Sequence, residues 1–244
     1  MTRRPPNRVK EAARNNALWC DAVCRANDAP GVFHPSIWVT RHAVPPFYPN
    51  AVTLTPDDAA GQIAHIAALC AERRRFSVKD SYEALDLRSL GFDVLFAATW
   101  LWREAGSATP LAPALHWTTI ADAAGLERWE AAWSGLPGEQ RVAAGERIFR
   151  PALLAESGVH LLAGSRGDEI IAVAAAHLTG EVVGLSNVFS ARLAAAELYP
   201  EVVAWTSRRF PERPLVGYEH GEDLRAALTA GFRAIGGLRV WARE

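Results

Sequence analysis

The stretch Asp223–Trp241, Asp-Leu-Arg-Ala-Ala-Leu-Thr-Ala-Gly-Phe-Arg-Ala-Ile-Gly-Gly-Leu-Arg-Val-Trp, decides the fold. Its first part reads as a short helix over Glu222 to Ala230, with acids in the first turn where the helix dipole favours negative charge. Gly231 then ends the helix, because a left-handed residue at a helix terminus is cheapest without a Cβ. Phe232 re-enters the core and opens an extended run to Ala242.

Working outward, the same pattern is found earlier in the chain. Asp86-Leu87-Arg88, Gly91-Phe92 and a strand ending Trp102-Arg103-Glu104 recur as Asp223-Leu224-Arg225, Gly231-Phe232 and Trp241-Ala242-Arg243-Glu244. Each copy follows a proline-started helix and a short, polar-ended strand, Ser77-Val78-Lys79-Asp80 in one and Val216-Gly217-Tyr218-Glu219 in the other. The echo favours a duplication over chance similarity. Between the copies, composition shifts to Gly, Ser, Thr, Ala and Pro from Glu104 to Pro113. This divides the chain into an N-terminal half over 1–104, a linker over 105–114 and a C-terminal half over 115–244.

In the N-terminal half, helical periodicity runs from Asn7 to Asn27 and extended stretches lie at Ile37–Thr40 and Ala51–Thr55. Thr55, followed by Pro56, Asp57 and Asp58, reads as the cap of a helix ending near Arg73. Phe76–Asp80 is a strand, Tyr82–Leu90 a helical or turn segment, and Phe92–Trp102 a long apolar strand. The C-terminal half starts with a strand at Leu115–Ile120. A helix carrying Ala123, Leu126, Trp129 and Trp133 on one face follows, then a second helical stretch to Glu156. Strands at Val159–Ser165, Glu169–Leu178 and Glu181–Phe189 form a meander. A helix from Pro200 to Phe210, a strand at Pro214–Glu219 and the closing helix and strand complete it.

That order, β, two helices, βββ, α, β, α, β, resembles the GNAT acyltransferase fold, an α/β (α+β) mixed sheet flanked by helices. The closing helix, its Gly231-Phe232 turn and the last strand are the most recognisable part. The N-terminal half is similar to a partial unit of the same kind, containing the closing β, α, β, α, β portion. The whole chain also resembles a bacterial GNAT-like subfamily at Trp19-Cys20-Asp21, Pro46–Asn50, Ser77–Ser81, Ser186–Phe189 and Gly217–Asp223. The resemblance implies that acyl-CoA lies in the opening where the fourth and fifth strands splay apart.

Two departures bear on chemistry. GNAT enzymes follow the fourth strand with a glycine turn whose amides cradle the CoA diphosphate. Here Phe189 is followed by Ser190, Ala191, Arg192, Leu193 and Ala194, without glycine. Arg192 either supplies charge to a phosphate or is simply exposed. Near Pro200, helix N-terminal amides are a further source of diphosphate contacts. The tyrosine that protonates the departing thiolate in many members is replaced, four residues before Gly231, by Ala227, and the usual asparagine position falls near His220.

Acyl transfer needs a base for the acceptor ammonium and a donor at the thioester carbonyl. Glu219 and His220 at the end of the fifth strand are the candidate bases, and Tyr218 is a candidate donor. Val188 or Phe189 is placed to present a backbone N–H. Glu219, His220 and Asp223 are equally read as caps of the helix that begins there. Ser186 and Asn187 interrupt an apolar strand and mark either ligand contact or a bulge. Lys79, Asp80 and Ser81 occupy the matching strand end in the N-terminal half and offer a second site. The expected activity is acyl-CoA-dependent N-acyl transfer, with acetyl-CoA as co-substrate, to a small amine or amino-acid-like substrate. The alternative is a GNAT-like protein that has lost acyl-CoA binding and uses its tandem clefts for a metabolite or for self-association as a homodimer.

Composition narrows the partners. The 244 residues include 26 basic and 27 acidic side chains, net charge −1, so no global positive field gathers nucleic acid. Arg73-Arg74-Arg75 reads as a solvated helix end in preference to an anion patch. Three cysteines, Cys20, Cys24 and Cys70, provide no disulfide framework and no metal spacing, and Cys20 and Cys24, one turn apart, read as small core residues. No signal-peptide core follows the basic start and the apolar runs are too short to span a bilayer. A cytoplasmic protein with neither metal nor membrane partner is expected.

Overall fold

The computed structural model describes residues 7–73, 75–106, 114–138 and 140–244. The basic segment before Asn7, Arg74 and residues 107–113 of the expected linker lie outside the described residues. The chain forms two compact units, Met1–Trp100 with Ile235–Glu244, and Leu101–Ala234. Ile235–Glu244 thus belong to the first unit, whereas the sequence pattern assigns them to the C-terminal half. Local patterning names a strand but carries no information about its neighbour across more than a hundred residues.

Unit 1 opens with α1 (Arg8–Ala26), whose start is capped by the Asn7 side chain accepting from the Lys10 amide. Strands β1 (Val32–Phe33), β2 (Ile37–Val39) and β3 (Ala51–Thr53) run antiparallel, and β4 (Phe76–Asp80) lies parallel to β3 after α2 (Ala59–Cys70). A short 3₁₀ turn at Arg88–Leu90 leads to β5 (Asp93–Arg103). The strand order is β1-β2-β3-β4-β11-β5, with β11 (Arg233–Arg243) antiparallel to β4. Ile37, Val39, Ile66, Val78, Leu87, Phe92 and Trp241 make its core.

Unit 2 contains β6 (His116–Thr119), α3 (Ala123–Trp133), β7 (Val159–Arg166), β8 (Glu169–Thr179), β9 (Val182–Phe189), α4 (Ala195–Arg209), β10 (Leu215–Glu219) and α5 (Gly221–Thr229). β6 to β9 are antiparallel neighbours in sequence order, and β10 is parallel to β9. Leu126 and Trp129 are buried on α3, and Trp129 Nε1 donates to the Leu162 carbonyl at 2.9 Å.

Three expected elements differ. α2 starts at Ala59 because the Asp58 carboxylate, not the Thr55 hydroxyl, caps it by accepting from the Gly61 amide. Thr55 instead accepts from Asp57 in the preceding turn. The second helical stretch toward Glu156 is only a 3₁₀ segment, Pro151–Ala155. Its approach is irregular and non-helical, with the amides of Ile148 and Phe149 donating to the buried Glu130 carboxylate. α4 begins five residues before Pro200, which therefore lies inside the helix.

The two closing segments share their local geometry. Gly91 and Gly231 both have positive φ, 78° and 94°, and the following phenylalanines donate back across the turn, Phe92 to Leu87 and Phe232 to Ala227. In unit 1, Arg243 donates to the carbonyl of Leu90 and touches the Cys70 sulfur. In unit 2, Arg103 donates to the carbonyl of Ala230 and to the Ser207 hydroxyl. Each arginine ends a closing strand, and each ties the glycine turn to an earlier helix, α2 in one case and α4 in the other. Leu90 thereby matches Ala230, and Cys70 matches Ser207.

Candidate functional site

The sequence-predicted residues converge at the end of unit 2 where β9 and β10 part. The two strands are in register only at Val183 with Leu215 and Gly184 with Val216. Gly217 still runs close, since a Cβ there would lie 3.1 Å from the Leu185 carbonyl oxygen. Beyond it, Ser186–Phe189 on one side and Tyr218–Glu219 on the other are half-buried, and His220 is exposed.

A bulge distorts β9 at this point. Val173 of β8 faces Phe189 while Ala175 faces Ser186, so β9 carries an extra residue, and Asn187 takes φ 54°. A bulge frees backbone groups from the ladder and re-aims side chains, a device common beside active sites. Of the two expectations for Ser186 and Asn187, the bulge is therefore the observed one, and it leaves Val188 and Phe189 at the mouth of the opening.

Glu219 is the distinctive group. Burial raises its carboxyl from 4.5 to about 7, the Tyr199 hydroxyl pulls in the opposite direction, and the Asp223 carboxylate pushes it further up. Tyr199, on α4, is itself buried, and its phenol is pushed up by burial and then by Glu219 and Asp223. Its hydroxyl faces Glu219 without completing a hydrogen bond to any described residue. His220 occupies the N-cap of α5 without a side-chain capping bond, while Glu222 and Asp223 lie in the first turn.

The sequence pattern starts this helix at Pro200 and so leaves Tyr199 outside it, whereas α4 begins at Ala195. The available signal was Glu197, whose carboxylate accepts from the Ala194 amide and marks the true start.

The expected diphosphate turn is filled from within. Ser190 Oγ accepts from the amides of Arg192 and Leu193 at 3.1 and 2.9 Å and donates to the Ile171 carbonyl. Arg192 is exposed and ion-paired with Glu169. Pro200 lies within α4, so the helix N-terminal amides are those following Ala194, next to the Glu197 carboxylate.

The matching corner of unit 1 is closed. Lys79, Asp80 and Ser81 are buried. The Asp80 carboxylate accepts from the amides of Tyr82, Ala84 and Leu85, Lys79 Nζ donates to Asn16, and the Ser81 amide donates to Thr53 Oγ1. At the position of Tyr199, unit 1 carries Gln62, which bridges the Ser36 and Thr55 carbonyls. The second site expected here is filled by structural bonds.

Among the described residues no group of three or more His, Cys, Asp or Glu is arranged to hold a metal ion, and no helix is long and apolar enough to cross a membrane.

Comparison with solved structures places this architecture. A GCN5-related N-acetyltransferase from Kribbella flavida superposes with TM-score 0.61 at 16% identity, covering 95% of both chains. A tandem GNAT protein from the clavulanic acid biosynthesis pathway matches with TM-score 0.52 at 14% identity over 96% of this chain and 95% of its own. A GCN5-related N-acetyltransferase from Sphaerobacter thermophilus gives 0.51 at 13% identity over 96% and 93%. No family model and no curated protein matches the sequence. The chain has a GNAT-like fold, a mixed sheet flanked by helices.

Proposed function

We propose that unit 2 is an N-acyltransferase site in which Glu219 removes the proton from an amine acceptor while an acyl thioester lies between β9 and β10. The observation that carries this reading is the half-buried Glu219 carboxyl, held at about 7, where the two strands part opposite the Asn187 bulge. A base balanced near neutral pH suits an acceptor that arrives as an ammonium ion. The neighbouring Asp223 carboxylate favours a cationic substrate, a small amine or amino-acid-like molecule. The backbone N–H of Val188 or Phe189, beside the bulge, is the candidate to hold the developing oxyanion. Tyr218 serves as the proton donor to the departing thiolate, in place of the residue that Ala227 does not supply. Exposed His220 passes the proton from Glu219 to solvent.

Acetyl-CoA is the donor this reading names, and its two ends fit unequally. The opening beside the bulge suits a pantetheine arm, whose amides seek unpaired backbone groups. The diphosphate finds the amides of Arg192, Leu193 and Ala194 already satisfied. Binding should accordingly be weak and sensitive to salt. That filled turn is the observation favouring the second reading, a metabolite-binding protein without catalysis.

Thiol release from acetyl-CoA, measured at low salt over a panel of primary amines and amino acids, tests the proposal. Glu219→Gln should lower turnover roughly 10²-fold with little change in binding. Binding without thiol release would favour the second reading, and absence of binding at about millimolar acetyl-CoA would remove the thioester from either.

A further inference from the structure

We propose that unit 1 binds a small organic carboxylate with an apolar body, in the open cavity lined by α2, β2 and the segments flanking β2. The cavity has a volume of about 600 Å³, within the range of small-molecule sites. His34 precedes β2, Arg41 and His42 follow it, and His65 faces them from α2. The rings of His34 and His65 stack with centroids 4.4 Å apart and planes tilted by 34°. Among the described residues no Asp or Glu lines the space, and apolar walls are supplied by Val39 and Leu69.

Three imidazoles and a guanidinium around one cavity present many N–H donors and no anionic acceptor. Among the described residues, no side chain hydrogen-bonds to or ion-pairs with any of these four groups. A carboxylate supplies the missing acceptor: it accepts from Arg41 in a two-point bond and from the ring N–H groups. The walls select what is attached to it, since a bare inorganic anion leaves Val39 and Leu69 uncovered while an aliphatic or aromatic body covers them.

The duplication sharpens the case. With Cys70 matching Ser207 through their arginines, His65 falls at the position of Val202, which is fully buried in the core of unit 2. Where one copy packs an aliphatic residue into its interior, the other opens a cavity and places an imidazole in its wall. Packing alone gives no reason for that exchange.

The test uses the full chain with phenylacetate and hexanoate as probes and phenylacetamide as the neutral counterpart of the first. Calorimetry should show carboxylate binding, with phenylacetamide weaker by about tenfold or more, because it lacks the charge that strengthens each bond. In the wild-type protein, phenylacetate should shift the imidazole NMR signals of His34, His42 and His65 together. Arg41→Gln, an exposed position that tolerates change, should weaken phenylacetate about tenfold while leaving phenylacetamide unchanged. Equal affinity for acid and amide overturns the proposal. So does absence of carboxylate binding at about millimolar probe, or occupation of the three histidines by Zn²⁺ alone with no response to either acid. None of these outcomes depends on acyl transfer in unit 2.

Discussion

Replacing Glu219 with glutamine should make the protein more stable at alkaline pH and change it little in acid. The reason is linkage. The Glu219 carboxyl is raised from 4.5 to about 7 in the folded chain, so the native state holds a proton that the unfolded state gives up earlier. Below 4.5 both states are protonated and no cost arises. Between 4.5 and 7 only the unfolded state ionises, and stability falls as pH rises. Above 7 the native state ionises too, and the full penalty persists. A shift of this size corresponds to about 3 kcal/mol, which partial solvent access to a half-buried group reduces to roughly 2 kcal/mol. Glutamine removes the penalty, so the variant should melt about 4–8 °C above the wild type near pH 8. Near pH 5 the difference should fall below about 1 kcal/mol. Asp223→Asn supplies the control, because loss of its charge should lower the Glu219 carboxyl and shrink the pH-dependent gap. Thermal melts of the three proteins across pH measure this directly. If wild type and Glu219→Gln keep the same separation at both pH values, the carboxyl is not held at a raised value and the argument for a tuned base fails.

Two further predictions concern other parts of the fold. Ser190→Gly releases the amides of Arg192 and Leu193 and should tighten acetyl-CoA binding about tenfold while making it steeper in salt; unchanged affinity by calorimetry would show that these amides do not face the donor. Gly231→Val should cost about 2 kcal/mol or more, since a branched Cβ is unfavourable at positive φ and would press on the Arg103 guanidinium. An unchanged melting temperature would contradict that strain.

Much of the architecture was legible because it is written in local patterns. The glycine turns at Gly91 and Gly231, the meander from Val159 to Phe189 and the strand at Phe76–Asp80 each rest on periodicity and turn chemistry spanning a few residues. The elements that differ are those set by distant partners or by weak local signals. Nothing near Ile148 announces that its amide is bound by Glu130, and the start of α4 is marked only by Glu197 reaching back to the Ala194 amide, with no Ser, Thr, Asp or Asn at the N-cap itself. The site was half visible. Tyr218, Glu219, His220 and the Ser186–Phe189 segment were named from their strand ends, whereas Tyr199 reaches Glu219 from another element. The filled corner of unit 1 was equally hidden, since the sequence of Lys79-Asp80-Ser81 does not tell a ligand contact from a bond to the chain's own amides.

The placement of β11 beside β4 sets an order of events during synthesis. When Trp100 has been made, β4 still lacks its neighbour, and the Arg243 side chain that will tie Cys70 to Leu90 does not yet exist. At ordinary elongation rates roughly 7–30 s pass before those residues are added. Throughout that interval an unpaired strand edge is open to misdirected pairing. The segment Leu101–Ala234, continuous in sequence, has all its strands in hand sooner. The half that emerges second from the ribosome is therefore the first able to reach its native form, and the half that emerges first waits for Ile235–Glu244.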